Sequence, residues 1–248
     1  MCRHLAYLGV PAPLSHLLFE APHALVRQSW APRDMRGGGT INADGFGVGW
    51  FPADGEPVRY RSAAPMWSDA ALPALAAHTS TGCVLAAVRS ATAGMPVVET
   101  AAAPFAEGPW LFSHNGVVAG WPDSVTALAG RLPIRDLITL DAPTDAALLW
   151  ALVRDRLRAG ATAAEAIGAT VVEVAAAAPG SRLNLLLTDG RQIVASTAGH
   201  ALSVRTGTTS VLVSSEPLDP GPGWEAVPDG SLLVTTPSTL DITALGRS

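Results

Sequence analysis

Strand-like segments at both ends of the chain enclose a middle that is rich in helix-like segments, and this order constrains the fold more than any other feature. Short apolar or alternating segments bounded by turn residues are typical of β-strands. They predict strands over 3–9, the end of the glycine-rich segment 37–51, 58–62, 84–89, 110–113, 183–187, 193–196, 201–205, 211–214, 232–235 and 240–243. Thr188-Asp189-Gly190 and residues 206–209 predict two hairpins in the last part of the chain.

Helical spacing occurs mainly in the middle of the chain. It predicts helices over 14–28, 69–78, 124–129, 145–158 and 163–178. In 145–158 the apolar residues share one face, whereas Arg154, Asp155 and Arg158 lie on the other. No linker, repeat or low-complexity tract divides the chain. We therefore expect a single α+β domain over residues 2–248, with Met1 removed and with helices covering packed sheets.

The composition excludes several classes of function. The 248 residues include 16 basic residues, all arginine, and carry a net charge of -5, so no basic surface for nucleic acid is expected. The absence of lysine excludes a Schiff-base lysine and a P-loop lysine. Two cysteines form no disulfide framework, and the histidines lack metal-ligand spacing. Without a signal peptide or membrane-length apolar run, we expect a cytoplasmic protein with no metal, cofactor or membrane partner.

The glycine-rich segment Gly37–Phe51 raises the question of nucleotide binding. Its glycines do not match the G-x-G-x-x-G spacing, and no lysine follows them. Close backbone packing and tight turns are the better explanation for these glycines.

Cys2 directly follows Met1, whose removal would leave a thiol and a free α-amino group on one residue. A cysteine thiol ordinarily titrates near ~8.5 and an α-amine near ~7.7–8.0, so the amine can accept the thiol proton near neutral pH. A nucleophile and a general base on one residue are typical of catalysts with an N-terminal Ser, Thr or Cys. Many proteins carry a cysteine at position 2 without such a role, so Cys2 gains meaning only from other motifs.

Three polar motifs follow the predicted strands or open a helix. Arg89 ends a strand, where its planar fork of donors suits a carboxylate, although a surface salt bridge is the usual fate of such a residue. Asn115-Gly116 offers a side-chain amide and a backbone N–H to one oxyanion, but Asn-Gly is also a common turn dipeptide. Thr144-Asp145 is either a helix cap or a carboxylate for a substrate ammonium group.

The ordered set Cys2, Arg89-Ser90-Ala91-Thr92, His114-Asn115-Gly116 and Asp145 resembles the class II glutamine amidotransferases over essentially the whole chain. These are N-terminal-nucleophile hydrolases, and the resemblance implies a four-layer α/β/β/α sandwich. It implies that Cys2 attacks a γ-glutamyl amide while Asn115 and Gly116 form the oxyanion hole.

The same resemblance assigns residues to the substrate. Arg89 would bind the glutamyl α-carboxylate with Thr92 beside it, and Asp145 would bind the α-ammonium group. His114 is expected to orient or pack, since the α-amine already provides a base.

Further motifs are similar to one branch of this family, the amidohydrolases of ergothioneine biosynthesis, which remove glutamate from γ-glutamyl-hercynylcysteine S-oxide. They are Met1–Leu5, Asn42–Trp50 and Ser214–Asp219. Many relatives carry histidine two residues before the arginine, where this chain has Ala87, and the glycine-rich segment lacks the Arg-Gly pair of ammonia-producing enzymes. Both departures argue against free glutamine as the substrate.

Three alternatives remain open. The first is a glutamine amidotransferase subunit that passes ammonia to a partner. The second is a γ-glutamyl hydrolase of glutathione breakdown, and the third is a glutamate-binding regulatory module without activity. A pure binding module needs only Arg89 and Asp145, so Cys2 together with Asn115 and Gly116 favours an enzyme. If the leaving group carries a trimethylammonium cation, Trp30 or Trp67 is a candidate aromatic contact. The alternative is that these loop tryptophans only cover the hydrophobic core, which is common.

Overall fold

The computed structural model of the protein describes residues 2–34, 36, 41–53 and 55–246. The expected removal of Met1, the glycines at 37–39 and the last two residues of the expected domain lie outside this range. The strands are β1 (Arg3–Pro13), β2 (Phe46–Trp50), β3 (Val58–Ser62), β4 (Ser80–Val88), β5 (Phe105–Glu107), β6 (Trp110–Val117), β7 (Arg182–Thr188), β8 (Ile193–Thr197), β9 (Ser203–Thr206), β10 (Ser210–Ser214), β11 (Trp224–Ala226), β12 (Ser231–Thr236) and β13 (Thr239–Ala244).

The helices lie between and before these strands. They are α1 (Leu25–Trp30), α2 (Leu72–His78), α3 (Thr126–Ala129), α4 (Ile134–Ile138), α5 (Asp145–Arg158) and α6 (Ala163–Ala177). A π-helical turn covers His16–Glu20, and 3₁₀ turns cover Met66–Ser68, Glu99–Ala101 and Asp123–Val125.

The strands form two antiparallel sheets. Sheet A has the order β11-β9-β10-β1-β4-β2-β3, and sheet B has the order β13-β12-β8-β7-β6-β5. β1 lies in the middle of sheet A between β10 and β4, while β6 lies in sheet B between β5 and β7. The strand that follows Cys2 (β1) and the strand that contains Asn115 (β6) are thus inner strands of opposite sheets.

Side-chain alternation along the central strands builds the layers. In β1, Leu5 and Tyr7 pack beneath α1, α2 and the π-helical turn, whereas Ala6 and Leu8 face sheet B. In β7, Leu183, Leu185 and Leu187 pack against the helical layer that contains α5 and α6. The helices therefore cover the outer faces of two packed sheets, which confirms the α+β class and the four-layer α/β/β/α sandwich.

The predicted helix over 14–28 is wrong as a single element. β1 continues to Pro13, the π-helical turn ends at Glu20, and α1 begins only at Leu25. Pro22 falls in the middle of the predicted segment, where a proline lacks the N–H of a helical hydrogen bond. The helical periodicity therefore comes from two short segments that pack on the same face of sheet A.

The other predicted elements are found, with changed ends. α5 and α6 match the predicted helices, and the hairpins β7–β8 and β9–β10 form as expected. The helix predicted over 69–78 starts at Leu72. Three short elements, β5, β11 and α4, had no recognisable signal because each spans only three to five residues.

The glycines of β2 confirm the packing interpretation. A side chain at Gly47 would collide with the carbonyl oxygen of Ala103. A Cβ atom at Gly49 would lie 2.8 Å from the Leu111 side chain. The strand therefore needs glycine because other backbone and side chains approach it closely.

Candidate active site

One cleft brings five of the six predicted site residues together. Cys2, Arg89, Thr92, Gly116 and Asp145 all line it. They come from the start of β1, the loop after β4, β6 and the first turn of α5. Its remaining lining is mostly apolar or backbone and comprises Ala87, Val88, Ser90, Met95, Ala101, Ala103, Phe105, His114, Thr144 and Ala146.

Cys2 is half-buried and lies immediately before the first residue of β1. Its Sγ lies 3.8 Å from the carbonyl oxygen of Ser90, and the Arg3 guanidinium donates to the Cys2 carbonyl oxygen at 2.9 Å. The other thiol, Cys83, is buried, and burial raises its pKa to about 12. Of the two cysteines, only Cys2 is accessible from a cleft.

Arg89 is held by backbone carbonyls. Its guanidinium donates to Pro96 O at 2.9 Å and to Asp44 O at 3.4 Å, and no carboxylate of the described residues forms a salt bridge with it. Asp44 also fixes the following loop, since its carboxylate accepts the N–H of Ala91 at 2.8 Å. Thr92 is exposed at the rim of the cleft. The buried Arg89 therefore keeps an unneutralised charge that suits an anionic ligand.

Asp145 is buried at the first position of α5. Its two oxygens accept the N–H groups of Val118 at 3.0 Å and of Ala146 at 2.8 Å. Thr144 is the N-cap and accepts the N–H of Ala147, so the cap interpretation is correct for Thr144. In the part of the chain that the structure describes, no basic side chain neutralises Asp145. Its carboxylate therefore faces the cleft with its charge available for a cation.

Asn115 and Gly116 lie inside β6, so the turn interpretation of this dipeptide is wrong. The backbone pairing leaves the Gly116 amide available. Leu183 donates its N–H to Ala198 on the β8 side, so alternation turns Asn184, and not Leu183, toward β6. Gly116 lies opposite Leu183, so its backbone N–H points away from β7. It points to the side of β5, whose pairing with β6 ends at Phe112.

Gly116 also has no room for a side chain. A Cβ atom there would collide with the carbonyl oxygen of Arg182 and lie 2.6 Å from His114 Nε2. His114 itself is buried and its Nε2 lies 3.0 Å from Arg182 O. The His114 ring therefore packs beside the glycine, as expected for an orienting residue.

The Asn115 carboxamide does not line the same cleft as Gly116. It borders a small adjoining cavity with Ser215, and its Nδ2 lies 3.2 Å from Ser215 Oγ. His4 of β1 contacts Ser113 of β6, with 3.1 Å between His4 Nδ1 and Ser113 Oγ. Leu111 and Ser113 face sheet A, and alternation along β6 places Asn115 on that same face.

A buried ionic cluster supports the start of β1, and no sequence motif predicted a role for its members. Glu216 accepts from Arg3 Nε at 2.7 Å, from His23 Nε2 at 2.6 Å and from the backbone N–H of Arg33 at 2.9 Å. Burial alone would raise the pKa of Glu216, but these hydrogen bonds outweigh it and hold that pKa at about 2. The available signal was the polar run Ser214-Ser215-Glu216 at the end of the apolar strand β10.

Two histidines near this cluster are held neutral. Burial, with smaller contributions from His114, His200 and Arg3, lowers the pKa of His4 to about 3. Burial and the nearby Arg182 lower the pKa of His200 to about 4. Neither ring is positively charged near neutral pH. Among the described residues, Arg3 is the cationic side chain that contacts Cys2, and its charge is paired with Glu216.

The two tryptophans expected near a cationic leaving group lie elsewhere. Neither Trp30 nor Trp67 borders the cleft or the adjoining cavity. The guanidinium of Arg27 lies 4.6 Å from the centre of the Trp30 ring. This contact occupies one face of the ring with a cation from the protein itself, so the expectation for these tryptophans has no structural support.

The described residues contain no group of three or more His, Cys, Asp or Glu side chains placed to hold a metal ion. Among the same residues, no helix is long and apolar enough to cross a membrane.

The sandwich, with a cysteine at the start of a central strand and opposite charges in the cleft beside it, defines an N-terminal-nucleophile type of amidohydrolase. The chain belongs to the class-II glutamine amidotransferases, whose profile matches residues 16–208. That range includes Arg89, Asn115, Gly116 and Asp145, but not Cys2.

Relatives extend the match to nearly the full chain. The γ-glutamyl-hercynylcysteine sulfoxide hydrolase of Mycolicibacterium smegmatis is 40% identical over 245 residues, which cover 99% of this chain and all of that protein. The hydrolase of the same name from Mycobacterium tuberculosis is 41% identical over 249 residues, covering 100% of this chain and 98% of that one. A solved glutamine aminotransferase class-II domain protein from Silicibacter pomeroyi superposes with a TM-score of 0.68 at 25% identity, covering 99% and 100% of the two chains.

Proposed function

We propose that the protein hydrolyses the γ-glutamyl amide bond of γ-glutamyl-hercynylcysteine S-oxide, releasing glutamate and hercynylcysteine S-oxide in ergothioneine biosynthesis. The observation that carries this proposal is that Arg89 and Asp145, two oppositely charged side chains without ionic partners among the described residues, both line the cleft that contains Cys2. A γ-glutamyl group ends in an α-carboxylate and an α-ammonium group, which match these two charges. The names of the full-length mycobacterial relatives support the choice of leaving group.

Substrate anchoring rests on Arg89, Thr92 and Asp145. Arg89 binds the α-carboxylate through its guanidinium, and Asp145 binds the α-ammonium group. Thr92, at the rim, lies beside the carboxylate. Because both charged side chains are buried and already held by backbone groups, they lose little conformational freedom when the substrate binds.

Cys2 is the nucleophile. After removal of Met1, the α-amine takes the thiol proton, and Sγ attacks the γ-carbonyl carbon. The oxyanion of the tetrahedral intermediate accepts hydrogen bonds from Asn115 Nδ2 and the Gly116 amide, a geometry supported by the unpaired position of that amide in β6.

The intermediate then loses the amine. The C–N bond breaks, and the departing nitrogen takes the proton that the α-amine of Cys2 received from the thiol. A γ-glutamyl thioester remains on Cys2. A water molecule, deprotonated by the α-amine, attacks the thioester through a second oxyanion in the same site. Collapse of this second intermediate releases glutamate and regenerates the thiol.

Hydrolysis is favoured over amide transfer to an acceptor domain. The hydrolases named above align with this chain from end to end, so the similarity extends to the whole of those proteins. Ala87, where many family members have histidine, lines the cleft two residues before Arg89. This position supports a substrate other than free glutamine.

A substrate panel tests the proposal. Glutamate release measured by liquid chromatography–mass spectrometry should give the highest kcat/KM for γ-glutamyl-hercynylcysteine S-oxide, above that for glutathione and for glutamine. A higher kcat/KM for glutamine would instead support the amidotransferase-subunit alternative. A higher value for glutathione would support a role in glutathione breakdown.

We also propose a cytoplasmic location and a small-molecule substrate as the main binding partner. Both cysteines are free thiols, which supports a reducing compartment. The net charge of -5 speaks against binding to nucleic acid.

A further inference from the structure

The Ser215 hydroxyl lies where the nucleophile strand meets the oxyanion strand. Ser215 directly follows β10 and is 2% exposed. Its Oγ accepts the N–H of His4 at 3.0 Å and donates to His4 O at 3.2 Å. It also lies 3.2 Å from Asn115 Nδ2. One hydroxyl therefore contacts β1, two residues from Cys2, and the amide group of Asn115 in the opposite sheet.

We propose that Ser215 is a positioning residue for the oxyanion hole, aiming the Asn115 carboxamide at the carbonyl oxygen that Cys2 attacks. This inference rests on the proposed roles of Cys2 and Asn115. It assigns a function to Ser215, which the proposed mechanism does not use.

The hydrogen-bond capacity of the hydroxyl fixes its role. A serine hydroxyl has one proton and two acceptor positions. The proton goes to His4 O, and the acceptor positions take the His4 N–H and one Nδ2 hydrogen of Asn115. Ser215 therefore has no proton left to give to a substrate. It acts through Asn115 and is not itself a catalytic residue.

Asn115 needs such a partner. The terminal torsion of an asparagine side chain has a broad energy minimum, so the direction of its amide depends on hydrogen bonds. Asn115 Oδ1 is buried and has no partner among the described residues, which leaves Ser215 as the group that orients the carboxamide. With one Nδ2 hydrogen on Ser215, the second remains for the oxyanion.

The neighbouring serine provides a matched control. Ser214 is fully buried, and its Oγ has no hydrogen-bond partner within the described part of the chain. Ser214→Ala and Ser215→Ala remove the same atom from adjacent buried positions. Only the second removes a hydrogen bond to Asn115.

The first test is steady-state kinetics on the γ-glutamyl substrate. Ser215→Ala should lower kcat by about ten- to a hundredfold with little change in KM. A misplaced Asn115 amide loses its hydrogen bond mainly to the transition state, where the oxyanion forms. Ser214→Ala should leave kcat unchanged. Unchanged kcat in Ser215→Ala would overturn the inference, as would an equal loss in both variants.

A double-mutant cycle with Asn115→Ala separates positioning from general structural support. If Ser215 acts through Asn115, adding Ser215→Ala to Asn115→Ala should lower kcat by less than about twofold. An additive loss would overturn the inference while leaving the proposed function intact. If Asn115→Ala itself had no effect on kcat, the proposed oxyanion hole would fail first, and the two failures are thereby distinguished.

A second pair of variants keeps the test valid if Ser215→Ala does not fold. Thr and Val have nearly the same shape and differ in the hydroxyl group. Ser215→Thr should retain a kcat at least about tenfold above that of Ser215→Val. Equal kcat values in these two variants would overturn the inference.

Discussion

Arg89 and Asp145 line one cleft from different elements of the fold, and neither side chain forms a salt bridge with another described residue. Both are buried, at 9% and 5% exposure. Burying a charge is costly, and the backbone contacts of each residue offset that cost only in part. A ligand with one carboxylate and one ammonium group would complete both pairs.

Removing either charge should weaken substrate binding more than turnover. Arg89→Ala removes the carboxylate contact, and Asp145→Asn removes the charge while keeping an oxygen that can accept the Val118 N–H. Each variant loses a charge-assisted contact to the substrate worth about 1.5–3 kcal/mol, so KM should rise by roughly ten- to a hundredfold with a smaller change in kcat. Arg131→Ala, an exposed arginine that pairs with Glu173, is the control for the loss of an arginine.

Initial-rate kinetics on the γ-glutamyl substrate check this expectation. A KM in Arg89→Ala equal to that of Arg131→Ala would contradict the assigned carboxylate site.

The two cysteines should behave differently in activity and in alkylation. Cys2→Ala should abolish glutamate release, and Cys2→Ser should retain little activity because a hydroxyl is harder to deprotonate than a thiol. Cys83→Ala is the matched control and should keep full kcat, since Cys83 is buried away from the cleft. Iodoacetamide near pH 8 should label one thiol per folded chain, at Cys2. Loss of activity in Cys83→Ala with a native unfolding curve would argue against this assignment.

Asn115→Ala should act mainly on kcat. The carboxamide donates to charge that develops in the transition state, so its removal should lower kcat by ~10²–10³-fold while KM changes little. The measurement is steady-state kinetics beside a thermal unfolding curve, because Asn115 is buried. If only KM changed, the oxyanion role of Asn115 would be wrong.

The stability of the protein should fall as the pH is lowered below about 6.5. The pKa of His4 is about 3 and that of His200 about 4, against an ordinary value of 6.5. Below pH 6.5 the unfolded chain binds protons that the folded protein does not, so the free energy of unfolding decreases until the folded-state values are reached. Glu216 adds to this loss only below about pH 4.5, as the pH falls toward its pKa of about 2.

Denaturant unfolding between pH 7.5 and pH 4 measures this loss. His4→Gln, which does not titrate in this range, should show a shallower decrease than His16→Gln, a control at an exposed position. The same slope in both variants would show that His4 does not cause the acid sensitivity.

Sequence patterns predicted most of the fold because the central strands and long helices carry strong periodic signals. α5 shows an apolar face over fourteen residues, and the β7–β8 hairpin has an Asp-Gly turn. The segment 14–28 was mispredicted because two short pieces on one sheet face produce a helix-like spacing despite Pro22. β5 and α4 are too short for any period to be recognised.

The candidate site was predictable only in part. The polar motifs beside predicted strands and at a helix start made Arg89, Asn115-Gly116 and Asp145 candidates, and the family resemblance assigned them, with Cys2 and Thr92, to one site. Placing Asn115 inside β6 required knowledge of the pairing with β7, and Asn-Gly alone favoured a turn. The contacts of Ser215 and Glu216 with β1 join residues more than 200 positions apart, which no local pattern encodes.

Detection of the acyl-enzyme is the sharpest test of Cys2 as the nucleophile. The protein is mixed with γ-glutamyl-hercynylcysteine S-oxide, quenched with acid within one turnover, digested and analysed by mass spectrometry. We expect an N-terminal peptide that begins at Cys2, without Met1, and carries a γ-glutamyl group on the thiol. Glutamate release by a protein that retains Met1, or a γ-glutamyl group found only on another residue, would contradict it.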